Sequence, residues 1–281
     1  MPAASAARYC WCRNNDNEGK KMLLKDKVVI ITGVGPGMGR KLGVIAAAEG
    51  AKVALAARSA GFLDEVAGEI RSVGGQCITV TTDVADMAQC QNLADQTVKA
   101  FGRIDGLVSS AYKHATYGAF ETDDIDAWLS SVDVTCFGAL RMAKAVLPTM
   151  KAQKGGAIVN VTALAAVQPA PGQYDYATAK AALEGATRQL AKEFGPHNIR
   201  VNCTRMGWLW GTPVQNFIAY QSKEHGVSEE DFTKPIVARI PLGVIPPDEE
   251  CAKSALFFVS DYSRMITGAT LDVNGGEYMS S

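Results

Sequence analysis

From Lys27 onward, short runs of consecutive apolar residues alternate with longer stretches of helical period. Val28-Val29-Ile30-Ile31 contains no polar alternate, the pattern of a strand covered on both faces. Val53-Ala54-Leu55-Ala56, Cys77-Ile78-Thr79-Val80, Gly106-Leu107-Val108, Ala157-Ile158-Val159-Asn160-Val161, Val201-Asn202-Cys203 and Thr270-Leu271-Asp272-Val273 continue the series. Helix-length segments separate them, the first running through Ala48 and the second from Phe62 to Val73. Parallel neighbours need such crossovers, so the pattern predicts an α/β fold. It is expected to be a single Rossmann-type, doubly wound, parallel seven-stranded sheet with helices on both faces. No repeat or low-complexity linker interrupts residues 22–281, which are expected to form one domain.

The first 21 residues read differently. The stretch from Arg13 to Lys21 is polar and turn-rich with nothing to bury, which predicts a disordered extension. The residues before it lack the apolar core of a secretory leader, although Arg8 without an acidic neighbour leaves an organellar leader open. The 28 basic and 29 acidic residues of the 281 nearly cancel, so no global field favours nucleic acid or an anionic membrane. No apolar run approaches the roughly 20 residues that span a bilayer. Seven scattered cysteines fit reduced thiols and a cytoplasmic setting better than a disulfide framework. Cys10 and Cys12 have no second ligand pair, so no metal is expected.

Candidate chemistry begins directly after the first apolar run, at Thr32-Gly33-Val34-Gly35-Pro36-Gly37-Met38-Gly39. Glycines between a strand and a helix let backbone N–H groups approach a pyrophosphate. An NAD-selective site usually has an acid at the end of the second strand to take the ribose hydroxyl. Here that strand ends Ala57-Arg58-Ser59, uncharged and then basic, which favours NADP, with NAD possible.

With Asp83-Val84, Tyr176-Ala177-Thr178-Ala179-Lys180, Arg200-Val201-Asn202 and the closing Asp272-Val273-Asn274-Gly275-Gly276, these motifs resemble the short-chain dehydrogenase/reductase family from about Leu24 to Gly276. The resemblance implies a cofactor site built from Thr32, Gly33, Gly35, Gly37, Met38, Gly39, Arg58, Asp83, Val84, Ser109, Ser110, Tyr176, Lys180, Gly207 and Thr212. It implies Tyr176 as the general acid or base on a substrate oxygen. Residues four apart share a helix face, so Lys180 can hold its ammonium near the phenol and favour phenolate.

Other family positions differ. Its serine after the fifth strand falls at Ala163, its asparagine in the helix after the fourth strand at Thr135, and its Asn-Asn-Ala-Gly turn reads Ser109-Ser110-Ala111-Tyr112. The chain thus resembles a divergent member without the usual serine and asparagine. Tyr112, His114 and Thr162 are candidates for the missing hydrogen-bond donor, with the Thr162 hydroxyl expected to point away because successive strand residues face opposite sides. Tyr174, Trp208 and Trp210 are further candidates for the pocket, and residues 206–240 resemble a variable substrate lid.

The leading expectation is an oxidoreductase interconverting a ketone and a secondary alcohol on a hydrophobic or aromatic small molecule. Altered chemistry on the same scaffold (imine or C=C reduction, or a non-redox reaction) and a non-enzymatic dinucleotide-binding protein are the alternatives. Family resemblance also implies a homodimer or homotetramer, through the helix beginning near Asp175. Its Ala181, Leu183, Ala186 and Leu190 need burial, by a second copy or by the domain's own sheet.

Overall fold

A computed structural model describes residues 22–169 and 171–280. The expected N-terminal extension and the Cys10–Cys12 pair lie outside the described residues. The seven apolar runs are all strands: β1 (Val28–Thr32), β2 (Lys52–Ala57), β3 (Gln76–Thr81), β4 (Gly106–Ser109), β5 (Gly156–Ala163), β6 (Ile199–Met206) and β7 (Thr270–Val273). They form one parallel sheet in the order β3-β2-β1-β4-β5-β6-β7. Chain order reverses between β1 and β4, which opens a crevice at their carboxyl ends.

Alternate residues of the central strands enter opposite cores. Val29, Ile31, Val53, Leu55 and Val159 join the core under α1 (Met38–Ala48), α2 (Ala60–Ser72) and α9 (Asp248–Val259). Ile30, Ala54, Leu107 and Ile158 join the one under α3 (Met87–Phe101), α5 (Gly138–Ala152) and α6 (Tyr174–Phe194). Each fully buried Leu, Ile or Val contributes about 1.5–3 kcal/mol, so this double coverage explains the uninterrupted apolar runs of β1 and β2. Helix α4 (Ile125–Val132) continues into α5 through a π-helical turn, Asp133–Phe137.

A polar seam joins α6 to β5. Residues 176, 180, 184 and 187 fall on one helix face. Thr187 Oγ1 accepts from Asn160 Nδ2 at 2.9 Å, Glu184 Oε1 from Thr162 Oγ1 at 3.0 Å, and Lys180 Nζ donates to Val161 O at 2.6 Å. This ladder brings Tyr176 beside Ala163 at the strand's carboxyl end. Glu184 also receives Arg205 of β6 through Nε at 2.9 Å and Nη2 at 2.8 Å, and Arg205 Nη1 reaches Asp272 of β7 at 2.9 Å. Beyond β6, α7 (Thr212–His225) and α8 (Glu229–Val237) form a cap. Ile218, Ile236, Ile240 and Ile245 give that cap its own small core, with Trp208, Val214 and Phe232 packed against it.

Candidate active site

Two clefts open along the carboxyl edge of the sheet. The first, of about 270 Å³, lies at the ends of β1, β2 and β4 and is lined by Gly33, Gly35, Arg58, Asp83, Val84 and Ser110 among others. Gly33 has φ +73°, and a Cβ there would overlap the backbone of Ala111. A Cβ on Gly39 would overlap the Gly33 carbonyl. The turn therefore closes only without side chains, and it exposes the start of α1, where no side chain caps the helix and no acid stands in the first turn. These features fit an anionic pyrophosphate. Thr32 ends β1 fully buried, its carbonyl accepting from Ser110 N at 3.3 Å. Met38 packs into the core below. Ser109 Oγ is buried without a partner.

Arg58 is exposed at the rim and makes no ion pair or hydrogen bond among the described residues. Arg40 on α1 is engaged instead, with Glu69 at 2.9 Å and Glu65 at 3.5 Å. Asp83 Oδ1 accepts from Ala85 N at 3.0 Å and so shapes the turn after β3.

The second cleft, of roughly 410 Å³, adjoins the first across Tyr112 and Tyr176, whose ring centroids lie 5.8 Å apart. Ala163, Tyr176, Met206, Gly207, Trp208 and Val214 line it. Lys180 Nζ stands 5.5 Å from the Tyr176 ring centroid and 5.7 Å from that of Tyr112. The expected depression of the tyrosine does not occur in the protein alone. Burial pushes Tyr176 up, and Tyr112 and Tyr117 act in the same direction. Burial also pushes Lys180 down to about 7.

His114 is sandwiched between the rings of Tyr176, 4.1 Å away, and Tyr117, 4.7 Å away. Its buried Nδ1 lacks a hydrogen bond and faces Asp175 Oδ1 at 3.8 Å. Asp175 is fully buried, accepting from Ala115 N and Tyr176 N at 2.6 Å each. Burial lowers the His114 pKa and Lys180 adds to this, while Asp175 opposes it. Asp175 precedes Tyr176 directly, yet sequence offers no sign that an acid in a first helical turn points inward.

Several expectations are corrected or refined. Thr162 does point away: its hydroxyl is held by Glu184 and by Thr204 O at 3.3 Å, which removes it as a donor to the cleft. Thr135 Oγ1 accepts from Lys113 N at 3.0 Å, bracing the loop after β4. Tyr174 is not a pocket wall. Its ring lies parallel to Trp128 at 5.9 Å and edge-on to Phe120 at 5.6 Å, an aromatic cluster that draws it away from the cleft. Trp210 pairs with Pro247 and donates its N–H to Pro246 O at 2.8 Å, so it pins the chain before α7, whereas Trp208 lines the cleft. Thr212 opens α7. Sequence reasoning missed Gln168, Arg239 and Glu277, which give the cleft a polar wall. The closing Gly275-Gly276 turn was the signal available for Glu277.

A parallel sheet with a glycine turn at its crevice and a Tyr–Lys pair on the adjoining helix α6 is the arrangement of a dinucleotide-dependent oxidoreductase. The family model for enoyl-(acyl carrier protein) reductase matches residues 33–277. A 3-oxoacyl-[acyl-carrier-protein] reductase of Thermotoga maritima is 32% identical over 91% of this chain and 99% of its own length. An L-rhamnose 1-dehydrogenase (NAD(P)(+)) of Azotobacter vinelandii is 33% identical over 92% and 99%. A solved short-chain dehydrogenase/reductase of Burkholderia xenovorans superposes with a TM-score of 0.83 at 32% identity, over 90% of this chain and 97% of that one. The chain belongs to the short-chain dehydrogenase/reductase family and is an NAD(P)-dependent oxidoreductase. Among the described residues no helix is long and apolar enough to cross a membrane.

Proposed function

We propose that the protein interconverts a ketone and a secondary alcohol on a small molecule with an apolar body, using NADP(H) in preference to NAD(H). The observation that carries this reading is the position of Tyr176, where the two clefts meet with Lys180 buried behind it. Residues of the glycine turn would hold the pyrophosphate, and the unpaired Arg58 would take a 2′-phosphate. The bound nicotinamide supplies or accepts the hydride. Tyr176 holds the proton: with its pKa raised it stays protonated through neutral pH and acts as an acid toward a forming alkoxide.

In this reading the family's serine and asparagine positions are Ala163 and Thr135, and a different group assists Tyr176. Thr162 is committed elsewhere. Burial favours the neutral form of His114, which stacks on Tyr176 with Nδ1 3.8 Å from Asp175 Oδ1. The ring of Tyr112 lies 5.8 Å from that of Tyr176, and burial raises its pKa and keeps its hydroxyl protonated. We assign it the second hydrogen bond to the substrate oxygen. Residues 206–240, with Trp208 inside, act as the substrate lid.

The test is a cofactor-oxidation assay over ketones, imines and enones, with binding titrations of both cofactors. Ketone turnover with NADPH, and a loss of NADPH affinity in Arg58→Ala, support the reading. Tighter NADH binding unaffected by Arg58→Ala refutes the cofactor assignment. The absent hydroxyl at Ala163 favours a second reading, reduction of an imine or a C=C bond, and turnover of those substrates alone would establish it. Under the ketone reading with Tyr112 as donor, Ala163→Ser adds little. A gain near 10²-fold on simple ketones would show that an oxyanion donor is missing and that Tyr112 does not supply it.

A further inference from the structure

The Tyr176 cleft has charge on one wall that carbonyl chemistry does not use. Gly275 and Gly276 take φ of +67° and +91°, a turn closed by Asn274, whose Oδ1 accepts from Gly276 N at 2.9 Å and whose Nδ2 donates to Tyr278 O at 3.1 Å. The turn delivers Glu277 beneath Gly207, so that a Cβ on Gly207 would lie 3.6 Å from Glu277 Oε2. The Glu277 side chain is 3% exposed. Its Oε1 is held by Arg239 Nε at 3.3 Å, but Oε2 is buried with no hydrogen-bond partner among the described residues. On the same cleft, Gln168 Oε1 is also buried and unpartnered. A buried carboxylate oxygen is costly unless a group donates to it. Both orphaned atoms are acceptors, which cannot serve a carbonyl or carboxylate of a ligand.

We propose that Glu277, held by Arg239 and assisted by Gln168, determines substrate specificity: it selects molecules bearing a hydrogen-bond donor, a second hydroxyl or an ammonium, on the apolar body that Trp208 and Val214 receive. The proposal rests on the reading of this cleft as the substrate site. It narrows the expectation of a hydrophobic or aromatic substrate, because an all-hydrocarbon body would leave Oε2 unsatisfied or hold a water beside it.

The experiment measures binding of cyclohexanol, the cyclohexanediol isomers and the aminocyclohexanol isomers to the Tyr176→Phe protein loaded with NADP+. Turnover of the same probes by the unaltered enzyme is followed separately. The best diol or amino alcohol is expected to bind about ten- to a hundredfold tighter than cyclohexanol, the usual worth of a hydrogen bond to a charged acceptor. Adding Glu277→Leu should abolish that preference while changing cyclohexanol affinity by less than about threefold. Adding Glu277→Gln, which keeps shape and an acceptor, should retain a diol preference and lose an ammonium preference, and this separates the two donors. Equal binding of all probes, binding of none, or a preference untouched by either Glu277 variant overturns the proposal. Preferential binding without any turnover by the unaltered enzyme would instead remove the ketone–alcohol reading and leave the subsite standing.

Discussion

Lys180 is a long cationic side chain that is 2% exposed and makes one hydrogen bond, to a backbone carbonyl. Its folded pKa of about 7 lies well below its unfolded value, so between those values the folded chain binds fewer protons than the unfolded one. Stability of the cofactor-free protein should therefore rise as pH climbs from about 7 toward the unfolded lysine value near 10.4. Lys180→Met should flatten that rise and raise Tm near neutral pH by about 2–4 °C, the shift per kcal/mol for a chain of this size, while abolishing turnover. Thermal scans across pH check both; a lower Tm would show that the ammonium is better solvated than its burial indicates. Tyr112→Phe should cut kcat/KM for ketone reduction by about 10²-fold with cofactor affinity preserved, as steady-state kinetics would reveal. Tyr176 and Lys180 were legible because their spacing survives in the linear sequence. The orientation of Tyr174 and the reach of His114 were not, since each depends on aromatic neighbours brought by α4 or the loop after β4.

At the scale of elements, α6 shows how a pattern can mislead. Glu184, Thr187 and Lys180 form a polar stripe that helical periodicity assigns to water, and the fold turns it onto β5 and β6. Glu184 and Arg205 have side chains only 6% and 7% exposed, so removing one strands the other as a buried charge. Glu184→Leu is expected to destabilise by about 3–5 kcal/mol, measured by urea unfolding. A change under about 1 kcal/mol would mean that Asp272 alone satisfies Arg205. Strands β1 and β2 were the most legible elements, because burial on both faces leaves an uninterrupted apolar run. Their ends were less so: β5 and β6 extend to Ala163 and Met206, past the apolar runs, because pairing continues through Thr162 and Arg205.

Across the whole molecule, the apolar positions of α6 are only partly free for a second copy. Leu183 is buried against Cys136 and Ala139, and Leu190 packs on the core, while Ala181 is exposed. An exposed apolar row also lies on the α4 side, where Ile125, Leu129 and Phe137 are 58%, 69% and 50% exposed. We infer a homo-oligomer joined through that face. Light scattering should give at least a dimer, and Leu129→Glu should shift it toward monomer; a monomeric unaltered protein refutes the inference. One contact links the clefts in time as well as in space. A Cβ on Gly37 would lie 3.2 Å from Pro213 Cδ, so the first turn of α7 rests on the phosphate cradle itself. We infer that exchange of a bound dinucleotide requires α7 to lift from this turn, while the cleft beside Trp208 opens separately. The expected kinetic consequence is an ordered sequential scheme, with the cofactor first on and last off. Product-inhibition patterns should then be competitive only between the oxidised and reduced cofactors, and Pro213→Gly, by loosening the cap's hinge, should drift toward random order.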